Sequence, residues 1–220
     1  MTYDADVTTR ERAPLTRSRI IETAVAFADE FGVDALSMRK LGAELNVEAM
    51  SLYNHVGNKD DIYDGMVDYV FASIPLPEPD VSWQESIRSI GVAGMDTFAA
   101  HNWVVTLLML RGNFGPSSLR FTDRVIGILT EAGFTDEDAH HAWQMLASHT
   151  MGYAFQAGAN PTGMNMEHLD VEATLAAASD RFPNVARLAP LLASCEYGSE
   201  YAFGLEIIID GLEARLSASN

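Results

Sequence analysis

Residues 37–59, SMRKLGAELNVEAMSLYNHVGNK, constrain the fold more tightly than any other stretch of this chain. They read as two short helices joined by a tight turn. Leu41 and Leu45 lay an apolar stripe along the first helix, and Asn46 stands where a short polar residue tolerates a left-handed backbone. Val47, Leu52 and Val56 turn the second helix inward, which leaves Ala49, Met50, Ser51, Tyr53, Asn54 and His55 facing out. A face carrying a methyl, a hydroxyl, an amide, an imidazole and a phenol suits base edges and phosphates in a major groove better than it suits a core. Its chemistry is readout. The alternative for the same pattern is a polar surface on an ordinary helical bundle.

The flanking residues continue the helical reading. Thr16 is placed to cap a first helix in which Ile20, Ala24, Phe27, Ala28 and Phe31 recur at helical spacing until Gly32. Ser37 caps the second helix. Asn58 with Asp61 three positions on forms a capping box for a helix over 58–74, with Tyr63, Met66, Val67, Val70 and Phe71 as its core stripe. Pro75, Pro77 and Pro79 then break the pattern and predict a boundary between a reader and the rest of the chain.

Beyond the prolines, Ser82 and Glu85 predict another box, opening a helix toward His101. NWVVTLLML has an ambiguous period and is assigned to helix, because nothing else in the chain offers a partner strand. Residues 111–116 read as a loop, followed by a helix over 117–132 and a long helix capped by Thr135 and Asp138 that reaches about Gln156. GANPTGMNM is a loop without phosphate-cradle spacing, and helices over 171–179, 183–193 and 199–216 complete an all-α chain of about ten helices.

From Leu15 to Phe71 the opening LTRSRIIETAVAFADEFGVDALSMRKL, the turn LNV and the segment SLYNHVGNK resemble the TetR/AcrR family of bacterial transcriptional regulators, in the family's order and without insertion. RFPNVARLAPLL and YAFGLEIIIDGLEARL look like the closing helices of the tetracycline-repressor-type regulatory domain. The resemblance implies a flexible arm over 1–14, a helix-turn-helix DNA-binding domain over 15–60, a connecting fourth helix, and a ligand-sensing and dimerisation domain over 75–220. It implies that Ser37, Arg39 and Lys59 belong to the surface that meets double-stranded operator DNA, with Arg39 and Lys59 on the phosphate backbone, while Ala49 to Ser51 and Tyr53 to His55 face bases or nearby phosphates. Glu48, at the reader's start, either accepts from cytosine or caps the helix.

For the sensor, the family's cavity-enclosing helices carry Trp103, Met109, Arg111, Phe114, Trp143, Met145, His149 and Tyr153, aromatic and methionine groups with a few polar ones, as ligand sites favour. A buried Arg111 attracts an anionic effector unless a neighbouring carboxylate already holds it. The position of the family's drug-contacting histidine is Pro75, which neither donates nor coordinates, so a tetracycline–magnesium effector is not expected. Tyr201, Leu205, Ile208, Ile209 and Leu212 make the last helix so apolar that it needs cover. In the family that cover is a second copy, giving a homodimer; burial within its own subunit is the alternative.

Charge and missing motifs bear on which functions are excluded. The net charge of −17 argues against sequence-independent nucleic-acid coating. Residues 1–60 carry a balance of −3, with seven of the fourteen basic groups, while the remainder carries −14. There is no catalytic elbow, zinc-protease motif, phosphate loop or dinucleotide fingerprint, so neither catalysis nor a cofactor is expected. Cys195 is the single cysteine, and His140, His141 and His149 share too few helical faces to predict a metal. Without a long apolar run or a signal-like start, the chain is expected in the cytoplasm and away from membranes.

Overall fold

Side-chain oxygens begin five of the helices. Thr16 Oγ1 accepts from the Arg19 N–H at 3.2 Å, Ser37 Oγ from Lys40 at 3.3 Å, Asn58 Oδ1 from Asp61 at 2.8 Å, Ser82 Oγ from Glu85 at 3.2 Å and Thr135 Oγ1 from Asp138 at 3.2 Å. These residues open α1 (Arg17–Phe31), α2 (Met38–Leu45), α4 (Lys59–Ser73), α5 (Trp83–Ala100) and α8 (Asp136–Gly158). Between and after them lie α3 (Ala49–Leu52), α6 (Trp103–Arg111), α7 (Pro116–Glu131), α9 (Pro183–Arg187), α10 (Ala189–Ala193) and α11 (Tyr197–Ser219), with one short 3₁₀ turn at Val33–Ala35. This computed structural model describes residues 14–77, 80–112, 115–158, 170, 173, 174, 177, 181–194 and 196–219, and no strand occurs among them.

One expectation is corrected. The single helix over 183–193 is two, because Pro190 lacks an N–H and its ring cannot sit beside the carbonyl four residues back. The chain divides into two compact units, Met1–Tyr63 and Asp64–Asn220, and the later half of the connecting helix α4 belongs to the second. The reason is packing: Phe71, on the later half of α4, meets Phe98 and Phe121 edge-on with ring centroids 5.5 Å away in each case. The arm before Pro14, the GANPTGMNM loop beyond Gly158, most of the helix expected over 171–179, Phe114 and Cys195 lie outside the described residues.

In the first unit, Ile20, Ala24, Leu41, Leu52 and Ile62 are fully buried, each large side chain contributing about 1.5–3 kcal/mol of transfer free energy. In the second, α5 and α8 pack against each other, and α11 lies across both. Charged clamps hold that arrangement: Arg88 forks onto Glu206 at 2.6 and 2.8 Å while its third nitrogen reaches Glu85 at 2.6 Å, and Arg215 donates to Asp138 at 2.6 Å. Gly91 permits close approach of α5 to α11, since a Cβ there would stand 2.8 Å from the Tyr201 hydroxyl.

Candidate nucleic-acid interface and effector cavity

The reader is aimed by its turn. Asn46 closes α2 in the left-handed region at φ 56°, ψ 43°, and the Val47 N–H reverses onto the Gly42 carbonyl at 2.8 Å. Gly42 is buried and has no room for a side chain: a Cβ would lie 2.9 Å from the Val47 oxygen and 3.2 Å from the Ala49 nitrogen. The start of α3 thus rests on the backbone of α2.

Leu52 and Val56 are buried, and Val47 is half-buried. Met50 is 74% exposed and Tyr53 45%; Asn54 and His55 are also exposed, whereas Ala49 and Ser51 are half-buried. A helix running through His55 was expected, yet α3 is a single turn. Asn54 then bonds Ser51 at 3.3 Å and His55 bonds Leu52 at 2.9 Å, three-residue closures in place of helical ones. Asn and His favour helix weakly, and Gly57 follows before Asn58 must restart α4. Glu48 is exposed and makes no capping bond.

Around the reader, Arg39 is exposed, and the Ser37 hydroxyl is half-buried and engaged in its cap. Lys59 lies half-buried with Nζ 5.0 Å from the Tyr63 ring. Asp61 ties the segment together: Oδ2 accepts the Gly57 N–H at 2.9 Å, and Oδ1 accepts from Arg17 at 2.6 Å. The Gly57 bond first, and Arg17 second, hold its carboxyl below the usual carboxylate range.

A cavity of about 370 Å³ lies within the second unit, at the lower end of the ~300–1,000 Å³ usual for ligand sites. Phe71, Phe98, Phe121 and Trp143 line it. Of the eight residues expected there, only Trp143 does so among those described. Trp103 is buried at 3% exposure without reaching the space; Met109 and Met145 are exposed. Arg111 stands 3.6 Å from Asp64, the carboxylate alternative, and is not a buried unpaired charge.

His149 and Tyr153 pack with Tyr201 instead, the His149 ring stacked 4.8 Å from it and donating through Nε2 to its carbonyl at 3.0 Å. The cause is helical rotation: Trp143, Ala147, Thr150 and Met151 share the cavity face of α8, and residues two positions off that register point elsewhere. The period was readable in sequence, but the direction of each face was not.

The last helix is corrected too. Tyr201, Leu205, Ile209 and Leu212 are buried at 1–5% exposure within their own subunit, and Ile208 is half-buried. Apolar groups left uncovered are Phe203 (70%) and Ile207 (55%) on α11, with Met145 and Phe155 on α8. Burial pushes the Tyr201 phenol above its ordinary pKa, against the Thr150 hydrogen bond that lowers it. Among the described residues no group of three His, Cys, Asp or Glu is placed to hold a metal, and no helix is long and apolar enough to cross a membrane.

Two family models match. Residues 20–66 match bacterial regulatory proteins of the tetR family, and residues 75–216 match the tetracyclin repressor-like C-terminal domain. An HTH-type transcriptional repressor, DrrR1 of Streptomyces coeruleorubidus, is 29% identical over 90% of this chain and 77% of its own length. An HTH-type transcriptional regulator of Saccharopolyspora erythraea is 33% identical over 79% of this chain and 78% of its own. Among solved structures, the TetR family protein ActR of Streptomyces coelicolor in complex with actinorhodin superposes with a TM-score of 0.79 at 33% identity, covering 93% of this chain and 99% of that one.

Proposed function

The chain belongs to the TetR family of bacterial regulatory proteins, and from that premise we propose that it is a cytoplasmic, homodimeric transcriptional repressor released from a palindromic operator by a small-molecule effector. The observation that carries the reading is the exposed edge of Met50, Tyr53, Asn54 and His55, held out by the Gly42–Val47 turn. These groups meet base edges, with Ala49 and Ser51 at the margin. Arg39 and Lys59 fix the backbone register, Lys59 from the first turn of α4, and Ser37 marks the start of α2 beside them.

One reader offers too few base contacts for an operator, so a second copy is required, and Phe203, Ile207, Met145 and Phe155 give it an apolar face to cover. A two-fold pair then presents its readers about 34–36 Å apart, one turn of B-form DNA. Phe71 on α4 forms part of the cavity wall, and the same helix begins at Lys59 beside the reader. An occupant that binds one position of α4 better than another shifts the population off DNA by that difference in affinity alone. ActR was solved with actinorhodin, which supports a small-molecule effector here. A regulator of this kind needs no catalytic group, and the chain is read as a non-enzyme.

Fluorescence anisotropy with the intergenic DNA upstream of the chain's own gene, at stated salt, tests the reading. Wild-type protein binds saturably and sequence-selectively; Tyr53→Ala loses that binding with melting temperature and solution mass unchanged. Equal affinity in the variant defeats the reader assignment.

A further inference from the structure

We propose a second small-molecule site, outside the cavity described above, that takes a small aliphatic α-amino acid in its zwitterionic form. A recess of about 240 Å³ lies between the first turn of α5 and the last two turns of α7, and its lining shares no residue with that of the larger cavity. Its volume falls below the ~300–1,000 Å³ of sites for drug-sized ligands, which limits the occupant to a small metabolite.

Hydrogen-bond donors without partners converge on this recess. Ser86 is buried at 3% exposure; its N–H is taken by the Ser82 carbonyl at 2.9 Å, but its hydroxyl bonds no described residue. The Trp83 indole N–H and the Arg124 guanidinium likewise make no hydrogen bond to a described residue. Arg124 stands 3.7 Å from the Glu131 carboxylate, an ion pair longer than a hydrogen bond, along one face of α7. A hydroxyl, an indole and a guanidinium facing one space are groups that hold a carboxylate, the guanidinium through two parallel bonds. A buried polar group left unpaired is costly, so an acceptor seated here recovers what those donors otherwise forgo.

The remaining charges decide against a simple anion. Glu131 and Asp80 also line the recess, so its walls carry one cation and two carboxylates, within residues 61–220 whose balance is −14. A bare carboxylate or phosphate is repelled by both acids, while a bare amine faces Arg124 and leaves the donors unused. An ammonium one carbon from the carboxylate reaches Glu131 while the carboxylate takes Arg124, so the zwitterion exchanges one loose ion pair for two. Glu131, with 72% of its side chain exposed, has room to open around it. Val81, Ile128 and Ala132 form the apolar part of the lining, beside the Trp83 ring that Phe134 holds edge-on at 5.3 Å. That wall suits a short aliphatic side chain.

Calorimetry on the full-length protein at neutral pH tests the site with three matched probes: L-leucine, its decarboxylated counterpart 3-methylbutylamine and its deaminated counterpart 4-methylpentanoate. Leucine binds saturably, one per protomer, at least tenfold more tightly than either analogue. Arg124→Met weakens leucine at least tenfold and Ser86→Ala severalfold, with melting temperatures held. Glu131→Gln weakens leucine but strengthens 4-methylpentanoate, because it removes repulsion that an anion meets; a merely structural role for Glu131 would not reverse the two. Equal binding of the three probes, a charged analogue preferred by the wild type, or no saturable leucine binding in the millimolar range overturns the proposal. So does leucine affinity unchanged in Arg124→Met, or no gain for 4-methylpentanoate in Glu131→Gln.

Discussion

The Asp68 carboxylate on α4 accepts the Ser117 backbone N–H at 2.7 Å through Oδ1 and the Ser117 hydroxyl at 3.0 Å through Oδ2, with the Ser118 N–H at 3.4 Å. It caps α7 from another helix. Gly115, at the N-cap position, has no side chain to do so, and Pro116 follows it as the first helical residue. The bond ties α4 to α7 where Phe71 on one and Ser118 and Phe121 on the other line the cavity.

Asp68→Ala therefore leaves N–H groups of α7 uncapped and costs about 1–2 kcal/mol of stability. If the same clip transmits occupancy to α4, the variant still binds operator and effector, but the fold-change in operator affinity on adding effector shrinks. Anisotropy titrations with and without effector read that ratio; an unchanged ratio removes Asp68 from the coupling.

Helix starts were legible because a cap is local. Thr16, Ser37, Asn58, Ser82 and Thr135 each sit three residues before the N–H they accept, a relation the sequence alone displays. Cavity membership is a tertiary fact. Met145 and Gln144 are adjacent in sequence, and only the packing of α8 on α5 and α7 decides that Gln144 meets the space while Met145 points away. The apolar stripe Tyr201–Leu205–Ile209–Leu212 was equally readable as a stripe; whether its cover came from the same chain or another was not a property of the period. Gly42 escaped notice because a missing side chain carries no pattern until the backbone it touches is seen.

That contact gives a sharp test of the turn. Gly42→Ala places a methyl 2.9 Å from the Val47 carbonyl, where backbone and not a flexible side chain must move. The expected loss is about 1–3 kcal/mol of stability for an overpacked site, with weaker operator binding as α3 shifts. Gly57→Ala is the control, since its Cβ meets nothing nearer than Asp61 Oδ2 at 4.0 Å. Thermal melts and anisotropy on both variants check the pair; equal behaviour contradicts the close approach.

Asp61 makes a pH prediction with a definite sign. Its folded-state pKa is depressed by the Gly57 N–H and then by Arg17, so its contribution is present above the unfolded value of about 3.9 and is lost as pH falls through the lower folded value. Asp61→Asn keeps an acceptor for Gly57 but cannot titrate. Melting temperatures followed from pH ~5 downward fall more steeply for wild type than for the variant below pH ~4. Parallel curves deny Asp61 this role.

The central claim is a paired reader, and native mass spectrometry of the protein on its operator duplex tests it most directly. Two protomers per duplex are expected, on half-sites about 10–10.5 base pairs apart, and Phe203→Glu with Ile207→Glu yields a folded monomer that loses high-affinity binding. One protomer per operator, or a monomeric variant with wild-type affinity, contradicts the account.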